Sequence, residues 1–200
     1  MKRTLIAMVP CALWLAACTP NATDDTGANS AGASGAQSAT EAQNDTAKTQ
    51  IAADDLEFMK DAARGGMAEV KMGELGQSNG ESQQVKEFAK KLADDHTKAN
   101  DELKQLASKK GVTLPEAMNE QHKSMIQHLS SLKGREFDSA FKQHAVEDHQ
   151  KDIEKFKTAS EKAKDPELKA FASKTLPVLQ QHLDLAKQLT AGPVAAQPPQ

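Results

Sequence analysis

Apolar residues recur along most of the chain at intervals of three and four, and no stretch alternates at a period of two. The longest unbroken pattern spans Ser82 to Lys110, where Val85, Phe88, Ala89, Leu92, His96, Ala99, Leu103 and Leu106 share one helical face. At a rise of about 1.5 Å per residue such a helix is about 40 Å long, and Gly111 is its expected stop. An earlier helix is predicted over roughly 54–75, with Phe58, Met59, Ala62, Ala63, Met67 and Val70 inward. Gly65, Gly66 and Gly73 each cost it about 1 kcal/mol relative to Ala, so packing must compensate, for instance by letting a neighbouring helix approach closely. A third long helix is predicted over 135–164, carrying Phe137, Phe141, Ala145, His149, Ile153 and Phe156. A fourth opens on Asp165-Pro166-Glu167, which fits an N-cap, a first-turn proline and an early acid. Its apolar face continues through Leu168, Phe171, Ala172, Thr175, Leu179, His182, Ala186 and Leu189, and Pro177 inside it predicts a kink. Between the second and third long helices, Gly111 to Gly134 holds Pro115 and a short amphipathic helix with Met118, His122, Met125, Leu129 and Leu132.

These elements define an all-α fold. Four long helices with one long central connection form a bundle, and two hairpins joined by a crossover that carries a short extra helix is the ferritin-like topology. The bundle is expected over residues 51–191.

The ends of the chain read differently. Lys2 and Arg3 precede an uncharged apolar run from Leu5 to Leu15, the pattern of an export signal. The run falls short of the roughly 20 residues that a membrane-spanning helix needs. Leu15-Ala16-Ala17-Cys18 resembles the bacterial lipobox, which makes residues 1–17 a lipoprotein signal peptide and Cys18 the lipidated first residue. Thr19 follows it rather than the Asp that resembles an inner-membrane retention signal, so the expected location is the outer membrane, facing the periplasm. Residues 18–50 are Ala, Ser, Thr, Asn, Asp and Gly with almost no large apolar side chain, a composition that cannot offset its ordering entropy and reads as a tether. Residues 192–200 read as a tail of the same kind.

Charge and cysteine content narrow the partners. Removal of Lys2 and Arg3 from the 25 basic residues leaves 23 against 28 acidic ones, a net of −5. With no basic stripe and no aromatic platform, nucleic-acid binding has no support. Membrane attachment is expected to rest on the lipid, and the sequence names no protein partner. Cys11 leaves with the signal, so Cys18 has no disulfide partner, and stability must come from an apolar core or a metal.

Three of the six histidines, His96, His149 and His182, lie on the apolar stripes of three different long helices. A buried imidazole is costly unless its nitrogens find partners, and neutral imidazole is the commonest protein metal ligand. Glu69, near the inward face of the first helix, can add a carboxylate. One Glu and three His suit Zn, Cu or Fe better than Mg or Ca. Asp95 and Asp148, each directly before a histidine, are candidates for orienting the rings from behind. Against this stands the plainer reading of hydrogen-bonded core histidines. His122 reads as a packing residue, His128 and His144 as peripheral, and Met67, Met72, Met118 and Met125 as gap-filling core. No nucleophile elbow, phosphate loop or CxxC pair is present.

The segments Ala68-Glu69-Val70-Lys71-Met72-Gly73-Glu74-Leu75, Val85-Lys86-Glu87-Phe88-Ala89 leading to Asp95-His96, Gly134-Arg135-Glu136-Phe137-Asp138 leading to His149, and Leu176-Pro177-Val178-Leu179-Gln180-Gln181-His182-Leu183 together resemble a known family. It is a family of bacterial periplasmic ferritin-like domains of unknown function, often labelled outer-membrane proteins. The resemblance covers about residues 54–190, implies the four-helix architecture and implies recurrent polar positions at Glu69, His96, His149 and His182. It implies no activity. Di-iron ferritin-like proteins place a Glu three residues before a metal-binding His; here Ala93, Val146 and Leu179 hold those positions. A mononuclear or empty site is therefore favoured over ferritin-type iron oxidation. The expected role is non-enzymatic: a module that binds one transition-metal ion (Zn, Cu or Fe) or an envelope partner, or a structural or stress-related lipoprotein whose buried histidines bond one another and nearby acids. The alternative is a metal-dependent oxidoreductase or hydrolase.

Overall fold

The computed structural model describes residues 51–190. The expected export signal, Cys18, the expected tether and the expected tail (192–200) lie outside the described residues. Five helices follow one another: α1 (Ala53–Asn79), α2 (Gln83–Lys110), α3 (Glu120–Ser131), α4 (Gly134–Lys162) and α5 (Pro166–Gln188). No strand occurs among the described residues, only a single parallel bridge between Gly80 and Gly134.

Local sequence sets most of the boundaries. Asp165 accepts hydrogen bonds from the backbone N–H groups of Glu167 and Leu168, both at 3.0 Å, and Pro166 opens α5 behind it. Gly111 ends α2 in the left-handed region at φ 66°, where its N–H reaches the Ser108 carbonyl at 3.1 Å. Asn119 caps α3 by accepting from the His122 N–H at 2.8 Å. The first helix runs four residues past Leu75, its expected end. Helix α5 continues through Pro177 without a break.

The strongest packing joins α1 to α2 and α4 to α5, so the chain forms two helical hairpins. Helix α1 also packs on α4, and α2 on α5. The Gly80–Gly134 bridge puts the start of α4 beside the turn between α1 and α2, so α4 runs antiparallel to α1 and parallel to α2. The connection carrying α3 therefore returns along the length of the domain, packing on α1 and α4 as it goes.

Each hairpin turn is held by a buried aspartate from the other hairpin. Asp138 of α4 accepts from Glu81 N at 3.0 Å and Ser82 N at 2.8 Å, at the start of α2. Asp55 of α1 accepts from Lys164 N at 3.0 Å and Asp165 N at 2.8 Å, at the turn between α4 and α5. Charge-assisted bonds to otherwise orphaned N–H groups are the strong kind, so the two hairpins are clasped at both ends of the domain.

The inward face of α1 differs from expectation. Met59 and Ala63 are buried, but Phe58, Ala62, Met67 and Val70 are only half-buried, and the face continues through Gly66, Glu69, Met72, Gly73 and Gly76. The reason is close approach of α2. A Cβ at Gly73 would sit 2.6 Å from the Ala89 carbonyl oxygen, and one at Gly76 would collide with the Ala89 methyl. The glycines therefore buy contact with α2 at the expense of helix propensity.

The buried apolar residues form two clusters. One gathers Val85, Phe88, Leu92, Phe137 and Phe141 towards the α1–α2 turn. The other gathers Met59, Leu103, Phe156, Leu168 and Leu179 towards the opposite end. The layer between them is polar: Glu69, His96, His149 and His182.

Candidate metal centre

Each of the four long helices contributes one of these residues, and all four are buried. The expected convergence of Glu69, His96, His149 and His182 in one place is therefore what the fold produces. The three rings lie at centroid separations of 5.7 Å (His96–His149), 5.4 Å (His96–His182) and 5.3 Å (His149–His182). One nitrogen from each ring lies within 4.8 Å of the other two.

Hydrogen bonds fix which nitrogen faces the centre. The Nδ1–H of His149 donates to the Ala145 carbonyl at 2.8 Å, which leaves a lone pair on Nε2 of the neutral ring. His182 Nε2 lies 3.1 Å from Asp95 Oδ2. Desolvation raises the Asp95 carboxyl, but the hydrogen bonds of Lys91 and His182 and their charges together outweigh it and hold the group down at about 2, so it is ionised and can only accept. His182 therefore donates from Nε2 and carries its lone pair on Nδ1. That nitrogen sits 3.3 Å from His149 Nε2, so two lone pairs face each other with no proton between them. His96 Nδ1 lies 2.8 Å from Glu69 Oε2. With Glu69 ionised, His96 donates there, and its Nε2, buried without a hydrogen-bond partner, carries the third lone pair. Burial holds all three imidazoles down at about 4, so all are neutral at pH 7.

The arrangement leaves an electrostatic deficit. Three inward lone pairs repel one another, and the buried Glu69 carboxylate is pushed up to about 7, chiefly by desolvation. Its Oε1 lies 3.4 Å from His149 Nδ1 and forms no hydrogen bond. A cation at the centre would relieve both. In a tetrahedral site two nitrogens about 2.0–2.1 Å from an ion are about 3.3–3.4 Å apart, which matches the His149–His182 separation of 3.3 Å. Every outward nitrogen is held by an oxygen acceptor (Glu69, the Ala145 carbonyl or Asp95), the support that metal-binding imidazoles characteristically have.

The expected supporting residues divide. Asp95 orients a ring, although the ring is that of His182 rather than its neighbour His96. Asp148 bonds to no ring; it is part-exposed, 3.7 Å from Lys151, and lines a polar cleft against α3. On a helix the residue directly before a histidine points about a quarter-turn away, whereas the carbonyl four residues back lies beneath the ring, so Ala145 fills the place expected of Asp148. His128 and His144 are peripheral and stack edge to face on each other at 6.0 Å. His122 is half-buried and lines the polar cleft, rather than packing in the core. Asp152 was not anticipated. It lies beside Glu69, and desolvation, followed by the Glu69 charge, pushes its carboxyl up to about 7. Its place three residues after His149, on the same helical face, is the signal that could have found it.

Comparison with known proteins adds the lineage. Residues 40–189 match a family described as a domain of unknown function, DUF4142. The chain belongs to that family. Two solved structures share its fold. A DUF305 fragment from Deinococcus radiodurans aligns with TM-score 0.63 at 11% identity, covering 72% of this chain and 99% of its own. A DUF305 protein from Streptomyces coelicolor, named a "putative secreted protein", aligns with TM-score 0.59 at 17% identity, covering 70% of this chain and 94% of its own. No curated protein matches the sequence. The expected membership in a helical family of unknown function is met, and no helix among the described residues is long and apolar enough to cross a membrane.

Proposed function

We propose that this DUF4142 domain is a non-enzymatic, lipid-anchored envelope module that binds one transition-metal ion through His96, His149 and His182. The observation that carries the reading is the convergence of three imidazole lone pairs in a buried layer, each ring held from behind by an oxygen. Glu69 fits as the carboxylate that orients His96 and balances the ion's charge. The antiparallel hairpins joined by the α3 crossover support a ferritin-like assignment. The absence of Glu at positions 93, 146 and 179 supports a single ion rather than a di-iron centre. Nitrogen ligands suit Zn, Cu or Fe. Reconstitution of the full-length chain with each metal, followed by elemental analysis, is expected to give one ion per chain for at least one of them. Sub-stoichiometric metal in all three cases would overturn the reading. A metal-dependent oxidoreductase or hydrolase is the second reading, favoured by the polar cleft that reaches Glu69; turnover by the loaded protein would establish it.

Burial predicts an unusual pH response. The histidines have folded-state values near 4, below the usual 6.5, so the rings take up protons only as the pH falls towards 4, and Glu69, near 7, is the one group of the set that protonates between pH 7.5 and 5.5. Metal affinity is therefore expected to fall by about 10–30-fold between pH 7.5 and 5.5, the effect of one carboxylate, whereas three exposed histidines would lose on the order of 1,000-fold. Equilibrium dialysis against a metal buffer at the two pH values measures this, and a loss of the larger size would contradict a buried site.

The location reading rests on Leu15-Ala16-Ala17-Cys18 and on the likeness to a structure named as secreted. Lipid at Cys18 would hold the domain on the outer membrane, with the tether to residue 50 letting it stand off in the periplasm. Cys18→Ser is expected to move the protein from the membrane to the soluble fraction. An unmodified Cys18 in the mass spectrum of the native protein would exclude the anchor.

A further inference from the structure

We propose that the polar cleft between α1, α3 and α4 is the port through which a hydrated divalent cation reaches the three histidines, with Glu69 and Asp152 passing it inward. The proposal rests on the metal-site reading above. The cleft holds about 200 Å³ and is lined by Asp61, Asp148, Asp152, Glu69 and His122. Further in, a cavity of about 20 Å³ adjoins His96, and Glu69 and Asp152 line that one too. The two carboxylates are thus the shared wall between an outer space and an inner one. The outer space has room for an ion with its water shell. The inner one has room for about a single water-sized sphere. An ion must lose its water at that wall, where carboxylate oxygens can replace it.

Unpartnered polar atoms mark this path: Glu69, with its side chain only 3% exposed, leaves Oε1 without a hydrogen bond at the wall, and His96 leaves Nε2 without one at the inner end. At the rim, Lys151 and Lys155 sit at long range from Asp148 (3.7 Å) and Asp152 (3.6 Å), loose pairings that an incoming cation can displace. Where the groove under the α2–α3 connection meets the inner cavity, it is lined by Asn100 and Leu103 rather than by carboxylates, and two further directions are closed. The apolar clusters seal the histidine layer above and below. On the α2–α5 side, Asp95 is engaged by Lys91 at 2.8 Å and by His182.

Gly65 supplies the test. A Cβ there would lie 3.6 Å from Asp152 Oδ2, an ordinary contact, and Gly65 lines the cleft, so a larger side chain at this position narrows it. Co(II) uptake by the full-length chain is followed by stopped-flow absorbance, and the equilibrium Kd by dialysis. Gly65→Leu is expected to slow both loading and chelator-driven release by about tenfold or more. Its Kd should stay within about threefold of wild type, since the ligands are untouched. Asp152→Asn, nearly isosteric, should slow loading and decides the matter if Gly65→Leu does not fold. Gln188→Trp, which faces a separate groove between α2 and the end of α5, should leave the rates unchanged. Wild-type loading rates in Gly65→Leu and Asp152→Asn would overturn the port while leaving the metal site standing. No cobalt uptake by the wild-type chain, together with sub-stoichiometric zinc, copper and iron in the reconstitution above, would overturn both.

Discussion

His96→Ala, His149→Ala and His182→Ala are each expected to weaken metal binding by at least about 100-fold, and His128→Ala is expected to leave it unchanged. Removing one ligand from a three-imidazole set leaves two nitrogens that cannot enclose an ion, and even losing a residue that merely orients a ligand costs about 10–100-fold. The four variants separate a built site from adventitious chelation, because His128 pairs with His144 on the surface and could hold metal loosely. Thermal denaturation gives the readout. An ion present at about 100 times its Kd adds about 2.7 kcal/mol to the stability of the wild-type fold. That rise should vanish in the three core variants and persist in His128→Ala. Retention in all three core variants would mean that other residues hold the ion.

Phe141→Ala is expected to destabilise the metal-free domain by roughly 3–5 kcal/mol, the usual cost of emptying a buried aromatic site. Phe141 is fully buried, stacks on Phe137 at 5.6 Å and meets Phe88 edge to face at 6.0 Å. Its ring also lies against Gly76, where a Cβ would be 3.0 Å from Cε2, so α1 has no side chain with which to refill the space. For a domain of this size the loss corresponds to a fall in Tm of roughly 10 °C or more. A fall of only a degree or two would show that the two apolar clusters are not packed as described.

The helices and the histidine layer were legible for one reason: a period of 3.6 residues places Phe88, Leu92 and His96 on one face regardless of what packs there. Position along three separate stripes was enough to bring His96, His149 and His182 together. The side of α1 that packs inward was harder to read. Gly66, Gly73 and Gly76 have no hydrophobic signature, yet they form the buried face, while the more apolar Met67 and Val70 lie half outside. The supporting atoms were harder still. Adjacency in sequence suggested Asp148 for His149, but the partner is a backbone carbonyl, which no side-chain pattern reveals. The clasps by Asp55 and Asp138 join residues 109 and 57 positions apart, and only the packing of one hairpin on the other creates them.

The central claim is that three imidazole nitrogens converge on one ion. X-ray absorption spectroscopy of the protein loaded with one equivalent of zinc tests it most directly. The account predicts three histidine nitrogens at about 2.0–2.1 Å, with the ring-scattering signature of imidazole and the remaining position filled by oxygen. A coordination shell of oxygen alone would contradict it.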